Sequence, residues 1–295
     1  MRVHRAVLGA FGVGAAGLSY AAFVERRWFR LRRFTVPVLA PGSRPLRVLH
    51  IADAHLTPYR RAEIAWIRGL AALEPDLIIN TGDSIAHPDA VSTFLRAAGP
   101  LLERPGAFVF GSNDYYAPKL KNPVRYLLPS GRPRLEGARM LPWTDLRDGM
   151  LDAGWIDLSN ARTRLTVAGI ELEVTGVDDP HIGADNYDRI AGPVDPNAGG
   201  HLAVMHSPEP RILDRFAADG YELLLAGHTH GGQLCVPGYG ALVTNCGLDR
   251  KRVKGLSPHR TAWLHVSAGL GTSPYAPARF ACRPETSLLT LTARS

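Results

Sequence analysis

Apolar residues along this chain fall into short runs that stop at polar side chains, and between the runs lie stretches of helical spacing. Leu46 to Ala52 reads as a strand, with Asp53-Ala54-His55 leaving its end. Residues 60 to 73 carry Ile64, Ile67, Leu70, Ala71 and Leu73 on one helical face, and Glu74-Pro75 stops that helix. Leu77 to Asn80 is the next strand, closed by Thr81-Gly82-Asp83. A helix with Val91, Phe94, Leu95, Ala98 and Leu102 on one side leads through Pro105-Gly106 to a strand at Ala107 to Phe110. That strand ends in Gly111-Ser112-Asn113-Asp114. Each strand thus delivers a polar side chain able to hold a metal, the α/β pattern with a site at the carboxyl edge of the strands.

Residues 117 to 160 break this rhythm with prolines and basic residues, and predict a surface excursion with its own hydrophobic cluster and a helix at about 145 to 153. Leu165 to Val174 reads as a hairpin turning at Ala168-Gly169, and it runs on into Val177-Asp178-Asp179-Pro180-His181. His201 to Met205 is a strand ending at His206, and a helix follows from about Pro210 to Ala218. The apolar run Leu223 to Ala226 stops at Gly227 and presents His228 and His230 in a loop too rich in glycine to be helical. Further strands are expected at 241–246, 262–267 and 287–292.

A chain of 295 residues with 45% hydrophobic content carries one large domain. Cys235, Cys246 and Cys282 lack any paired-motif spacing and read as small core residues. The net charge of +7 is unevenly placed: residues 1 to 33 hold seven arginines and one acid, Glu25, which leaves +1 for the remaining 262 residues. The globular part therefore offers no footprint for a nucleic-acid backbone.

The arm itself is uncharged from Ala6 to Val24, nineteen residues that nearly match a hydrocarbon core. Ser19-Tyr20-Ala21 has the form of a cleavage site, but the basic and aromatic flank from Arg26 to Arg33 favours an uncleaved anchor. The expected organisation is an anchor segment at 1–34, a linker at 35–45 and a catalytic domain at 46–295, with the domain on the cytoplasmic face and export as the alternative. This boundary predicts that a chain begun near Gly42 folds and stays active.

Collected, the strand-exit residues are Asp53, His55, Asp83, Asn113, His206, His228 and His230. An aspartate after a strand is commonly a turn former, but seven such residues at the ends of five apolar runs are hard to explain as caps. Mixed carboxylate, amide and imidazole donors suit manganese, iron or zinc rather than a thiolate site. Asp179 and His181 read as a solvated turn, His50 and His265 as satisfied core or supporting histidines, and Arg250-Lys251-Arg252-Val253-Lys254 as a charged loop that at a membrane meets anionic headgroups.

In these motifs the chain resembles the calcineurin-like metallophosphoesterases, whose pattern is D-x-H, G-D, G-N-H-[DE], H and G-H-x-H. The resemblance runs from Leu46 to the C-terminus. Gly227-His228-Thr229-His230-Gly231-Gly232-Gln233, Gly269-Leu270-Gly271-Thr272, Arg279-Phe280 and Pro284-Glu285 are similar to a bacterial, membrane-associated branch of phosphodiesterases. The resemblance implies a four-layer αββα sandwich of two mixed sheets flanked by helices. It implies two divalent metal ions bridged by Asp83, with Asp53, His55 and His230 on one and Asn113, His206 and His228 on the other. Asp83, Asn113 and His228 would be the catalytic set. The substrate implied is a phosphodiester or pyrophosphate, lipid-linked if the arm is an anchor, and a monomer is expected.

The third motif departs from the family, because G-N-H-D is here Gly111-Ser112-Asn113-Asp114. Either Asn113 is the ligand, displaced by one position, or Ser112 holds the ligand place and Asn113 the place of the histidine. The first is preferred because an amide oxygen is the better donor. On both alignments the histidine that would serve the leaving group is missing, which favours diester or pyrophosphate substrates. A metal-stabilised module without catalysis and a phosphatase of soluble phosphoesters are the competing readings.

Overall fold

The computed structural model describes residues 14–120, 135, 137–244 and 246–295. Two six-stranded mixed sheets face each other. The first has the order β1 (Arg30–Leu39), β14 (Glu285–Ala293), β2 (Leu46–Ile51), β3 (Leu77–Asn80), β4 (Gly106–Phe108) and β5 (Ile156–Asp157). The second has β12 (Gly255–His259), β13 (Ala262–Val266), β9 (Leu223–Ala226), β8 (Gly200–Met205), β7 (Ile170–Gly176) and β6 (Ala161–Val167). β10 (Cys235–Val236) and β11 (Gly240–Ala241) form a separate small hairpin.

Period-two alternation builds the layers. From β2, Leu46 and Val48 join Val36, Val38, Ile79, Val174, Val204 and Leu225 in a core between the sheets. Leu49 and Ile51 point the other way, against α1 (Arg61–Gly69), α2 (Val91–Leu102) and α4 (Trp143–Asp152) through Ile67, Phe94, Leu101, Leu146 and Met150. On the far side of the second sheet, Ala203, Met205, Leu224 and Leu264 pack on α5 (Pro210–Asp219) through Ile212, Leu213 and Phe216. The arrangement of two mixed sheets with helices outside is the one expected, and β6 and β7 turn at Ala168 (φ 53°) and Gly169 (φ 83°) as the hairpin reading required.

Several expectations need correcting. The segment at 35–45 is not wholly a linker: β1 runs through Leu39 parallel to β14. Val36, Val38 and Leu39 are buried, while Pro37, which cannot donate to a ladder, sits exposed on an edge strand where that costs nothing. The strand expected at 241–246 is only the end of the small hairpin, and the second sheet is closed instead by β12, whose Pro258 conceals its pattern. Residues 121–134 of the proline-rich excursion lie outside the described residues.

The anchor expectation falls partly on residues 1–13, also outside the described set. Among the described residues no helix is long and apolar enough to cross a membrane. Residues 14–27 are helical, and the end of this arm docks on the domain. The buried Glu25 carboxylate accepts from the N–H groups of Ala281 (3.0 Å) and Cys282 (2.6 Å). Arg30 forms an ion pair at 2.6 Å with the fully buried Glu285, and Arg283 covers the Trp28 ring at 4.1 Å. Part of the basic, aromatic flank is therefore committed to tertiary structure.

Candidate active site

All seven candidate ligands lie where their strands end. Asp53 and His55 follow β2, Asp83 follows β3, Asn113 follows β4 in the single-turn α3 (Ser112–Tyr115), His206 follows β8, and His228 and His230 follow β9. Five of them hold left-handed backbone: Asp53 (φ 49°), His55 (42°), Asp83 (52°), His228 (67°) and His230 (49°). A strand cannot continue through such a residue, and the conformation costs about 1–2 kcal/mol each. Cross-loop hydrogen bonds hold it in place. Asp53 N–H donates to Gly82 O (3.0 Å) and His55 N–H to Asp83 O (2.8 Å). Gly82, itself at φ 88°, lies so close to the next loop that a Cβ there would sit 2.4 Å from Gly111 N.

Asp114 fastens the β3 and β4 exits together. Fully buried, it accepts from the N–H groups of Asp83 (2.7 Å), Ser84 (2.7 Å), Ile85 (3.2 Å) and Gly111 (3.0 Å). Burial and the neighbouring Asp83 push its carboxyl up to about 7, against the Gly111 and Ile85 donors and His206.

Inside this frame the side chains converge. Asp83 Oδ2 lies between one imidazole of each half of the site, 3.4 Å from His55 Nε2 and 3.6 Å from His206 Nε2. His55 Nε2 faces His230 Nε2 at 3.0 Å, and His206 Nε2 faces His228 Nδ1 at 3.2 Å. Asp53 accepts His228 N–H with both oxygens at 3.0 Å. Donor atoms of Asp53, His55 and His230 lie within 4.8 Å of one another, as do those of Asp53, Asp83 and His206.

Asn113 is placed differently from a simple ligand. Its backbone N–H donates to Asp83 Oδ1 (2.8 Å) and its side-chain Nδ2 to Asp83 Oδ2 (2.7 Å), because a carboxylate only accepts. The amide orients the carboxylate, and Oδ1 is the donor atom it has left.

Hydrogen bonds to the far ring nitrogens orient two of the imidazoles. His206 Nδ1 is 2.8 Å from Thr81 O and His230 Nδ1 is 3.2 Å from Gly271 O. A carbonyl only accepts, so His206 Nδ1 carries a proton and, in the neutral ring, its Nε2 lone pair points into the site; His230 Nδ1 lies equally close, at 3.2 Å, to Arg279 Nη2, which only donates, so its neighbours do not select one tautomer. Arg279, fully buried, holds the turn around Gly271 by donating Nη2 to Gly271 O (2.7 Å), Ala268 O (2.8 Å) and Gly269 O (3.0 Å), with His230 Nδ1 at 3.2 Å from the same nitrogen.

Ring nitrogens that face each other in pairs are what a cation needs. With metal–nitrogen bonds of about 2.0–2.1 Å, separations of 3.0 and 3.2 Å correspond to angles at the metal of roughly 94° and 103°. Both lie between octahedral and tetrahedral values, so the residues present fit a pair of divalent ions.

Charge in the cluster is strongly redistributed. Burial pushes Asp53 up to about 7, with Asp83 adding to the shift and His206 opposing it. Burial works against charge on Asp83, but His206, His55 and the Asn113 donors outweigh it and hold the carboxyl below the usual range. Burial also opposes charge on His206, yet Asp83, Asp179 and Asp53 push that imidazole up to about 9. His55 is driven down to about 4 by burial, against Asp83. Acids and bases whose pKa values are thrown apart in one cleft mark a functional cluster.

Two residues that read as a solvated turn belong here. Asp179 is fully buried and accepts from Ser112 N–H (2.9 Å) and His181 N–H (2.8 Å). The His181 ring lies 4.5 Å from that of His228. The signal was present in their position directly after β7, a strand beside β8. His50 and His265 are core residues as expected, bonded to each other through their Nδ1 atoms at 2.9 Å. His50 reaches Thr81 Oγ1 (3.0 Å), the residue whose carbonyl holds His206, while His265 Nε2 has no hydrogen-bond partner among the described residues.

The fold and donor set define a class, an αββα metal-dependent hydrolase. The chain belongs to the calcineurin-like phosphoesterase family, hydrolases of phosphoester bonds, whose model matches residues 46–232. Over 296 residues it is 26% identical to the metallophosphoesterase YkuE of Bacillus subtilis, covering 97% of this chain and 95% of that protein. It is also 26% identical over 284 residues to the phosphodiesterase YaeI of Escherichia coli, covering 94% and 93%. A transmembrane protein with a metallophosphoesterase domain from Bos taurus is 26% identical over 283 residues, 88% of this chain and 56% of that protein.

Proposed function

We propose that the protein is a dinuclear phosphodiesterase or pyrophosphatase acting at a membrane, with Asp83 bridging its two metals. Asp53, His55 and His230 complete one metal site, and Asn113, His206 and His228 the other. The observation that carries this reading is the pair of facing imidazole couples on either side of Asp83 Oδ2. When bound, two divalent cations (manganese, iron or zinc) lower the pKa of a water towards neutrality and neutralise the phosphoryl oxygens.

The chain's own groups do the rest. Thr81 O turns His206 Nε2 inward, Gly271 O and Arg279 Nη2 hold the His230 ring by its Nδ1, and Asn113 fixes the rotation of the Asp83 carboxylate. His181, packed on His228, is the imidazole outside the ligand set that stands near enough to protonate a departing oxygen, a role the third motif leaves without a histidine. A diester substrate agrees with the phosphodiesterase named among the relatives. The arm and the transmembrane relative support a membrane setting, and with it a lipid-linked substrate.

The test is hydrolysis of bis-p-nitrophenyl phosphate by the full chain. Activity should disappear with a chelator and return with manganese, iron or zinc. A protein inert with all three metals refutes the catalytic reading and leaves a metal-binding module.

A further inference from the structure

The exposed apolar side chains are concentrated. Of the fourteen large hydrophobic residues exposed among the described residues, five lie on the arm: Leu18, Tyr20, Phe23, Val24 and Trp28. Four more, Leu234, Val236, Tyr239 and Leu242, lie on or beside the β10–β11 hairpin. Tyr59 and Tyr275 are on loops that follow β2 and β13.

Sheet topology places these groups at one edge. β14 runs antiparallel to β2 with Ser287 opposite His50, so its first residue, Glu285, lies where β2 ends and Asp53 begins. β1 runs parallel to β14 with Arg30 in register with Glu285, so the arm preceding Arg30 enters at that same edge. The hairpin follows His230 directly and therefore also starts from the metal-site edge. Direct contacts join the pieces. The Tyr20 ring meets Phe280 edge-on at 6.3 Å, Phe280 N–H donates to Gln233 O (3.0 Å), and Cys235 N–H donates to Phe280 O (2.8 Å).

Charge beside the patch suits one partner. The exposed Arg250 guanidinium lies 3.8 Å over the Tyr239 ring, and the exposed Lys251 is next to it. The neighbouring Asp249 carboxylate accepts from Lys251 N–H (2.7 Å). Apolar and aromatic tips flanked by cations form the pattern of a surface that lies in the headgroup zone of an anionic bilayer. The uncharged run that begins at Ala6 reaches the domain at this same edge, so an anchored arm would bring the hairpin to the bilayer.

We infer that the metal-site edge is itself an interfacial face, on which the β10–β11 hairpin inserts Val236, Tyr239 and Leu242 into an anionic lipid surface beside the arm, with Arg250 and Lys251 on the headgroup phosphates. This rests on the membrane reading above and deepens it. The site then opens towards the bilayer, and its substrate class is a phosphodiester carried by a lipid and presented in the plane of the membrane.

Depth of a nitroxide label tests this in the full chain reconstituted into vesicles of phosphatidylcholine and phosphatidylglycerol. Val236→Cys places the label on the hairpin. Leu151→Cys places it at the opposite edge, since α4 ends just before β5 begins. The unsubstituted chain gives the background from Cys246, the one cysteine that is not buried. The label at 236 should be relaxed several-fold more by oxygen than by a water-soluble nickel chelate, and the label at 151 should show the reverse. Arg250→Glu with Lys251→Glu should return the 236 label to water. Equal chelate access at 236 and 151 overturns the inference. So does a 236 label shielded equally with and without vesicles, because residues 1–13 or another protein then cover the patch. The same labelled protein assayed on the soluble diester separates the two readings: no turnover with a lipid-shielded 236 label refutes catalysis alone.

Discussion

Removing residues 1–41 should unfold the protein rather than release a soluble, active domain. The boundary read from the sequence places the domain start at 46, but β1 supplies Val36, Val38 and Leu39 to the core between the sheets. Losing three buried side chains at about 1.5–3 kcal/mol each removes roughly 5–9 kcal/mol, an upper estimate because the unfolded chain also buries some of this surface. Glu285 would lose its partner Arg30, a further loss below the roughly 3 kcal/mol of a fully buried pair because Arg30 is partly exposed. The β14 backbone would become an open edge. Together these approach the whole stability of about 5–15 kcal/mol expected of a domain. The assay is thermal melting by circular dichroism of chains begun at Gly42 and at Gly14, compared with the full chain. The chain begun at Gly14, which keeps Glu25, Arg30 and β1, should melt cooperatively. The chain begun at Gly42 should be insoluble or show no cooperative transition. A Gly42 chain that melts within a few degrees of the full protein refutes this account of β1.

Other outcomes follow from the site. Asp83→Asn removes charge facing both halves of the site and should lower turnover on the soluble diester by more than about 100-fold at saturating manganese. Asn113→Ala, which orients that carboxylate, should cost about 10–100-fold, and an Asp83→Asn enzyme that keeps most of its rate contradicts the bridge. His181→Ala should slow diesters with poor leaving groups by about 100-fold or more, the range of general acid catalysis, and should leave p-nitrophenyl leaving groups nearly unaffected. Equal losses on both would make His181 a packing residue for His228.

The site was legible because the seven ligands follow five apolar runs, and a polar residue at the end of a buried strand stands out against its run. Asp53, Asp83 and His206 could be found this way, and the structure brings them together. β1 was missed because Pro37, Pro41, Gly42 and Pro45 read as a linker and the arginines before them as the flank of an anchor, whereas an edge strand tolerates both. β12 was hidden by Pro258 for a similar reason. Asp179 looked like a turn former since nothing local shows that it is buried against Ser112 N–H. Arg279 is a contact of the same kind: its carbonyl partners are eight to eleven residues away in sequence, and only the folded turn brings them to one guanidinium. The docking of Glu25 on Ala281 and Cys282, 256 and 257 residues away, leaves no trace in local pattern at all.

The central claim is that one carboxylate, Asp83, stands between two cations. Electron paramagnetic resonance of the manganese-loaded full chain tests it most directly, because two manganese ions about 3.5–4 Å apart and sharing a bridge are exchange-coupled. Titration should give a coupled multiline spectrum that saturates at two manganese per chain, and Asp83→Asn should convert it to the six-line signal of isolated ions. An uncoupled six-line spectrum from the unsubstituted protein, saturating at one manganese per chain, would contradict the account.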